Sequence, residues 1–183
     1  GDLVAALRTS ADNTTNVDPV ARLYKAYFLR TPEPGGLGYW ITARRGGRSL
    51  LSISEFFAQS PEFRDRYGSL TNAEFVNLVY LNVLGRAGDQ GGVTFWNDQL
   101  DRGIRSRGSR LTGFSESPEY VARQQHHVTV AVLFVFLLGR APTPDVLAAY
   151  VEVLTVGADA PLPYTVATFA EEIMRSAEYA RRV

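Results

Sequence analysis

The chain has 183 residues, 45% apolar and 11% aromatic, enough for one sizeable core or a stack of small units, which excludes a disordered polymer. Nineteen basic and nineteen acidic residues leave no net charge, so no global field draws the chain to nucleic acid or to an anionic membrane. The absence of cysteine excludes disulfides, thiolate metal sites and cysteine nucleophiles.

In chain order, LVAALR near the N-terminus reads as the last turns of a helix, and no basic-plus-apolar leader precedes it, so a signal peptide is absent or has been removed. Residues 12–16 read as a polar linker. Asp18-Pro19 then opens an amphipathic helix, the aspartate as N-cap and the proline at the first helical position, with Val20, Leu23, Tyr24, Tyr27 and Phe28 on one face. Glu33-Pro34 starts a second helix that carries Leu37 and Trp40 and stops at Gly46-Gly47. LSISEFFAQS forms a third, opened by a Ser52 and Glu55 capping box, and Ser60-Pro61 caps a further short turn.

The order then repeats. Thr71 and Glu74 form a capping box before Phe75, Leu78, Val79 and Val83, Asp89 caps a helix with Val93, Phe95 and Trp96, and Gly103 ends it. RLTGFSES and Ser117-Pro118 follow. The third pass opens on VTVAVLFVFLLG, strand-like by its valines and phenylalanines, but its register with the other two predicts a helix. Its apolar run, 128–138, falls well short of the ~20 residues that span a bilayer and reads as core. Thr143-Pro144 and TVATFAEEIMRS complete the unit.

Arg30, Arg86 and Arg140 fall at one repeat position, separated by 56 and 54 residues. Tyr24, Tyr80 and Phe134 lie six residues before them, and Trp40, Trp96 and Tyr150 ten residues after. Each unit closes on Ser60-Pro61-Glu62-Phe63, Ser117-Pro118-Glu119-Tyr120 or Ser176-Ala177-Glu178-Tyr179. The expectation is an all-α fold of three tandem helical repeats of about 55 residues, each of three or four short helices, packed into one compact domain. The predicted boundaries are 1–17 for the helix end and linker, then 18–70, 71–125 and a divergent 126–183.

This succession of aromatic, Leu-Gly-Arg, capping acid, Gly-Gly, tryptophan and Ser-Pro-Glu-aromatic resembles the bacterial domain-of-unknown-function family 4214, and more distantly the helical domain of phycobilisome linker polypeptides. The match is good over 18–120, whereas 128–183 keeps LLGR and SAEY but lacks the Gly-Gly pair and the tryptophan. The resemblance implies a non-catalytic piece of an exported or cell-surface bacterial protein whose task is attachment, and hence an extracellular setting.

Several residues invite chemistry. The three arginines can clamp a carboxylate or phosphate of a ligand, or else cap the preceding helix or pair with a neighbouring acid. Glu33 and Asp89 supply one acid per turn, too few for calcium, and read as helix caps, so no metal site is expected. Tyr39-Trp40 and Phe95-Trp96 are adjacent aromatics about 100° apart on a helix, so one of each pair can lie in the core while the other offers a face to a sugar ring. The tryptophans share a face with Leu37 or Val93, leaving Tyr39 and Phe95 for exposure. Arg102, Arg105, Arg107 and Arg110 overlap in repeat position with Arg44, Arg45 and Arg48, giving either one basic patch for acidic glycans and phosphates or two solvated loops. No aromatic interleaves these arginines, which argues against nucleic acid. His126-His127 diverge on a helix, and no Gly-x-Ser-x-Gly elbow is present. Glu55, Glu62, Glu74, Asp98 and Glu119 include no distinguished catalytic pair and read as caps and solvated faces.

The sequence therefore predicts a non-catalytic, cofactor-free module that attaches its parent protein to cell-surface or cell-wall carbohydrate, without membrane insertion. Its expected contacts are Tyr39, Trp40, Phe95, Trp96, Arg30, Arg86, Asp89, Arg105 and Arg107. The alternative is a protein-protein scaffold assembled through the apolar third repeat.

Overall fold

Among the residues described, 1–157 and 164–183 of a computed structural model, every regular element is a helix. The predicted third segment, 126–183, includes 158–163, which lie outside the described residues. Helix α1 (Asp2–Arg8) is followed by a π turn (Asn13–Val17) that runs straight into α2 (Asp18–Phe28), so the expected polar linker is helical. Its short polar side chains close back on the preceding turn: Thr14 Oγ1 donates to the Ser10 carbonyl at 3.2 Å, and Asn16 Nδ2 to Asp12 at 2.8 Å. Val17 is buried. Asp18 consequently lies within a continuous helix instead of capping one, and its carboxylate accepts from Arg8 Nη1 at 2.7 Å.

Helices α3 (Pro34–Arg45), α4 (Leu50–Ala58) and α5 (Pro61–Tyr67) come next. The cap of α4 is Ser49, which accepts from the Ser52 amide, three residues ahead of the expected one. Helix α6 (Asn72–Val79) opens on the predicted Thr71 and Glu74 capping box and continues into a π turn (Tyr80–Leu84). Asp89 caps α7 (Gln90–Asp101), and Ser106 caps α8 (Arg107–Ser115), so half of the arginine-rich stretch is helix where a loop was expected. Helix α9 (Pro118–Leu133), a π turn (Phe134–Leu138), α10 (Pro144–Gly157), α11 (Val166–Arg175) and α12 (Ala177–Ala180) complete the chain.

The valine-rich stretch is thus helical despite its strand propensity. With its π turn it forms a helix of 21 residues, Pro118–Leu138, long and apolar enough by length and composition to cross a membrane. It exceeds the apolar run seen in sequence because it begins at Pro118. Val128, Val130, Val132, Leu133 and Phe134 are buried within the fold, which assigns this helix to the core.

Local geometry recurs at the aligned arginines. Gly85 and Gly139 end their π turns with φ of 66° and 65°, and Leu29 holds the matching place at 53°, the one positive-φ residue other than glycine among those described. The guanidinium carbons of Arg30, Arg86 and Arg140 lie 5.0, 5.8 and 5.2 Å from the ring centroids of Tyr24, Tyr80 and Phe134. Ser60, Ser117 and Ser176 each accept from the amide three residues on, at 3.1, 3.3 and 3.1 Å.

The helices gather into two compact units, each assembled from separate stretches of chain. The first comprises Gly1–Ala21, Thr31–Thr42 and Arg123–Val183, and the second Arg22–Arg30 and Ala43–Ala122. In the first, Val130, Leu133, Phe134, Leu154, Phe169, Ala170 and Ile173 form a core against which Val4, Val146 and Tyr150 pack. In the second, Tyr24, Tyr27, Phe28, Phe57 and Phe63 meet mostly edge to face or tilted, with centroids 4.9–5.8 Å apart, the geometry that suits ring quadrupoles. There α4 crosses α8 closely: Tyr27 Oη donates to the Ser54 carbonyl at 2.8 Å, and Ser54 Oγ to the Gly108 carbonyl at 2.9 Å.

Candidate functional site

Both aromatic pairs split as helix geometry requires. In α3 Trp40 is 5% exposed while Tyr39 is 61% exposed, the two rings meeting edge to face at 4.8 Å. In α7 Phe95 is 54% exposed and stands edge to face on Trp96 at 5.0 Å. Each outer ring is therefore braced by an inner indole and keeps its other face in solvent. Trp40 belongs to the core and offers no face to a ligand.

Trp96 is half-buried because Arg110 lies over it. The Arg110 guanidinium carbon stands 3.5 Å from the Trp96 centroid and 3.4 Å from that of Phe114, and the residue is only 7% exposed. Nε and Nη2 of this cation have no hydrogen-bond partner among the described residues, and burial pulls its pKa down to about 10. Sequence placed Arg110 in a basic loop, either part of a binding patch or solvated; the structure makes it the filling between two rings.

Most of the other predicted contacts are occupied by the fold itself. Arg30 donates to Glu62 through Nε at 2.6 Å and Nη2 at 2.8 Å, a bidentate clamp that holds the Glu62 carboxyl below its usual range. Arg140 clamps Glu178 in the same way at 2.5 and 2.8 Å. Arg86 is exposed and donates to the Ala87 carbonyl at 3.4 Å. Asp89 accepts from the Gly92 amide at 2.8 Å, the work of an N-cap. Arg107 donates to Asn72 Oδ1 at 3.0 Å and to the Leu70 carbonyl at 2.7 Å, and burial lowers its pKa. Arg105 is exposed. Among the described residues no group of three histidine or acidic side chains is disposed to hold a metal ion.

Sequence reasoning missed two clefts in the second unit. One, about 440 Å³, is lined by Arg48, Ser52, Glu55, Phe56, Gln59 and the Ser60-Pro61 turn. The other, about 320 Å³, is lined by Gln59, Arg64, Gly68, Ser69, Leu70 and Arg107 among others. The available signal was Phe56-Phe57, a third adjacent aromatic pair that splits like the others, with Phe57 buried and Phe56 52% exposed.

Residues 54–124 match the model of the family described as Domain of unknown function (DUF4214). Searches of curated proteins and of solved structures found no match.

Proposed function

We propose that the chain, whose residues 54–124 match the DUF4214 family model, is a non-catalytic, extracellular attachment module that binds cell-surface or cell-wall carbohydrate. The observation that carries this reading is the pair of outward rings, Tyr39 and Phe95, each fixed edge-on by a tryptophan. A flat ring held rigid in advance stacks on a pyranose without first losing rotamer freedom, and apolar contact with the sugar's C–H face excludes water. The neutral chain adds no long-range attraction, so affinity rests on these local contacts.

Pull-down of the chain on isolated cell-envelope polysaccharide tests the proposal. Retention that falls at least fivefold in a Tyr39→Ala, Phe95→Ala double variant of unchanged helicity is expected. Absence of retention on every envelope fraction rejects it.

A second reading, self-assembly, draws on the first unit. Val4, Leu7, Leu133, Phe136 and Leu137 line most of an apolar cleft of about 120 Å³, and Leu3, Leu7 and Phe136 are exposed large apolar side chains. A second copy of the chain would cover this surface. Sedimentation equilibrium that shows a dimer, abolished by Phe136→Ser, is the outcome this reading requires; a monomer at all concentrations rejects it.

A further inference from the structure

We propose that the two clefts of the second unit form one binding site for an anionic saccharide, with the sugar ring on Phe56 and its carboxylate or phosphate between Arg64 and Arg107. This inference rests on the carbohydrate reading above but assigns it different residues and a charged ligand.

Gln59 lines both clefts and so places them side by side at the end of α4. Helix α4 creates the first side: Phe57 enters the aromatic core, so Phe56, one position earlier, is turned to solvent at the cleft wall. Beside it stand a carboxylate and an amide, Glu55 and Gln59, four positions apart along the chain, as befits a ligand with both donor and acceptor hydroxyls. Glu55 already accepts from Ser106 Oγ, which fixes its orientation and leaves carboxylate lone pairs for a hydroxyl. The Gln59 side chain makes no hydrogen bond among the described residues, so both its donor and its acceptor are available.

The second side is cationic. Arg107 is held half-buried by an amide oxygen and a backbone carbonyl, both neutral, and it makes no ion pair among the described residues. Arg64 is exposed and makes no side-chain hydrogen bond or ion pair among the described residues. Two guanidinia in one cleft with Ser69 and no acid in its lining match a bidentate anion. The combined volume exceeds that of one hexose, which suits an oligosaccharide whose neutral and charged ends are read separately.

Isothermal titration with trigalacturonate, its methyl ester and an oligo(glycerol phosphate) tests the assignment. An anionic probe binds, the ester binds at least tenfold more weakly than the acid, and Arg64→Glu and Phe56→Ala each weaken the anion at least tenfold with circular dichroism unchanged. Binding of trigalacturonate identifies a carboxylate as the ligand group; binding of the glycerol phosphate polymer alone, still lost in Arg64→Glu, identifies a phosphate. Equal affinity for acid and ester, indifference to Arg64→Glu, or no binding of either anion overturns the site. The wider reading is separable: envelope retention lost with Tyr39 and Phe95 but insensitive to Arg64→Glu and Phe56→Ala preserves that reading and rejects this cleft.

Discussion

Leu29 shows how a single residue records the cost of a helix ending. At φ 53° it adopts the left-handed conformation that Gly85 and Gly139 adopt at the corresponding places. For an L-residue with a Cβ this costs roughly 1–2 kcal/mol, whereas glycine enters it freely but gives up about 0.5–1 kcal/mol in chain entropy. Leu29→Gly is therefore expected to stabilise by about 0.5 kcal/mol, and Gly85→Ala to destabilise by about 1 kcal/mol, opposite signs that thermal unfolding resolves. The Arg30 and Arg140 clamps make a second residue-scale prediction. Both hold a glutamate below its ordinary pKa, chiefly through the arginine's hydrogen bonds. Their stabilisation is hence complete above the ordinary glutamate pKa and is lost as pH falls through the lowered values. Carboxyl NMR titration should find Glu62 and Glu178 below about 4.3, with Glu62 returning toward that value in Arg30→Met. The repeated arginine was legible in sequence because the aromatics six residues before and ten after it keep their distances, and the acid pairing seen at Arg30 and Arg140, though not at Arg86, was among the roles foreseen. Arg110 was not legible: nothing in RGSRLTGF tells a solvated cation from one enclosed by Trp96 and Phe114, because the enclosure is made only when α7 and α8 come together.

At the scale of elements, glycine has opposite meanings at two positions of α8. A Cβ on Gly108 would stand 2.7 Å from the Glu55 backbone nitrogen, whereas one on Gly113 would meet nothing within 4 Å. Backbone cannot yield as a flexible side chain does, so Gly108→Ala should cost about 1–3 kcal/mol by forcing α4 and α8 apart. Gly113→Ala should gain up to about 1 kcal/mol from helix propensity alone. Urea midpoints of the two variants moving in opposite directions would verify this. Helix identity was readable from period and caps, even at 128–138, where register overrode propensity. Cap positions were less so, since Ser49, Ser52 and Ser106 are chemically equivalent candidates and only the path of the backbone chooses among them. Residues 12–16 misled for a related reason: short polar side chains favour loops unless, as here, they find acceptors in the preceding turn.

For the whole molecule, the all-helical class followed from periodicity, but the partition into units did not. The second unit joins Arg22–Arg30 to Ala43–Ala122, and the first joins three separate stretches. Spacing reports which segments are alike in sequence; it carries no information on which segments pack together. The clefts along α4 escaped notice on the same ground, since Arg64 and Arg107 are 43 residues apart in sequence yet line one cleft.

The chain contains two tryptophans, and they fall one in each unit, Trp40 buried in the first and Trp96 half-covered in the second. Nature has thereby installed a separate optical probe in each half. Trp40→Phe and Trp96→Phe variants should leave single emitters of different colour, the Trp40 signal bluer and less accessible to acrylamide. Following each emitter through denaturant would time the melting of its own unit without any label, and quenching of Trp96 alone on adding a sugar would point to Phe95 as the place of contact.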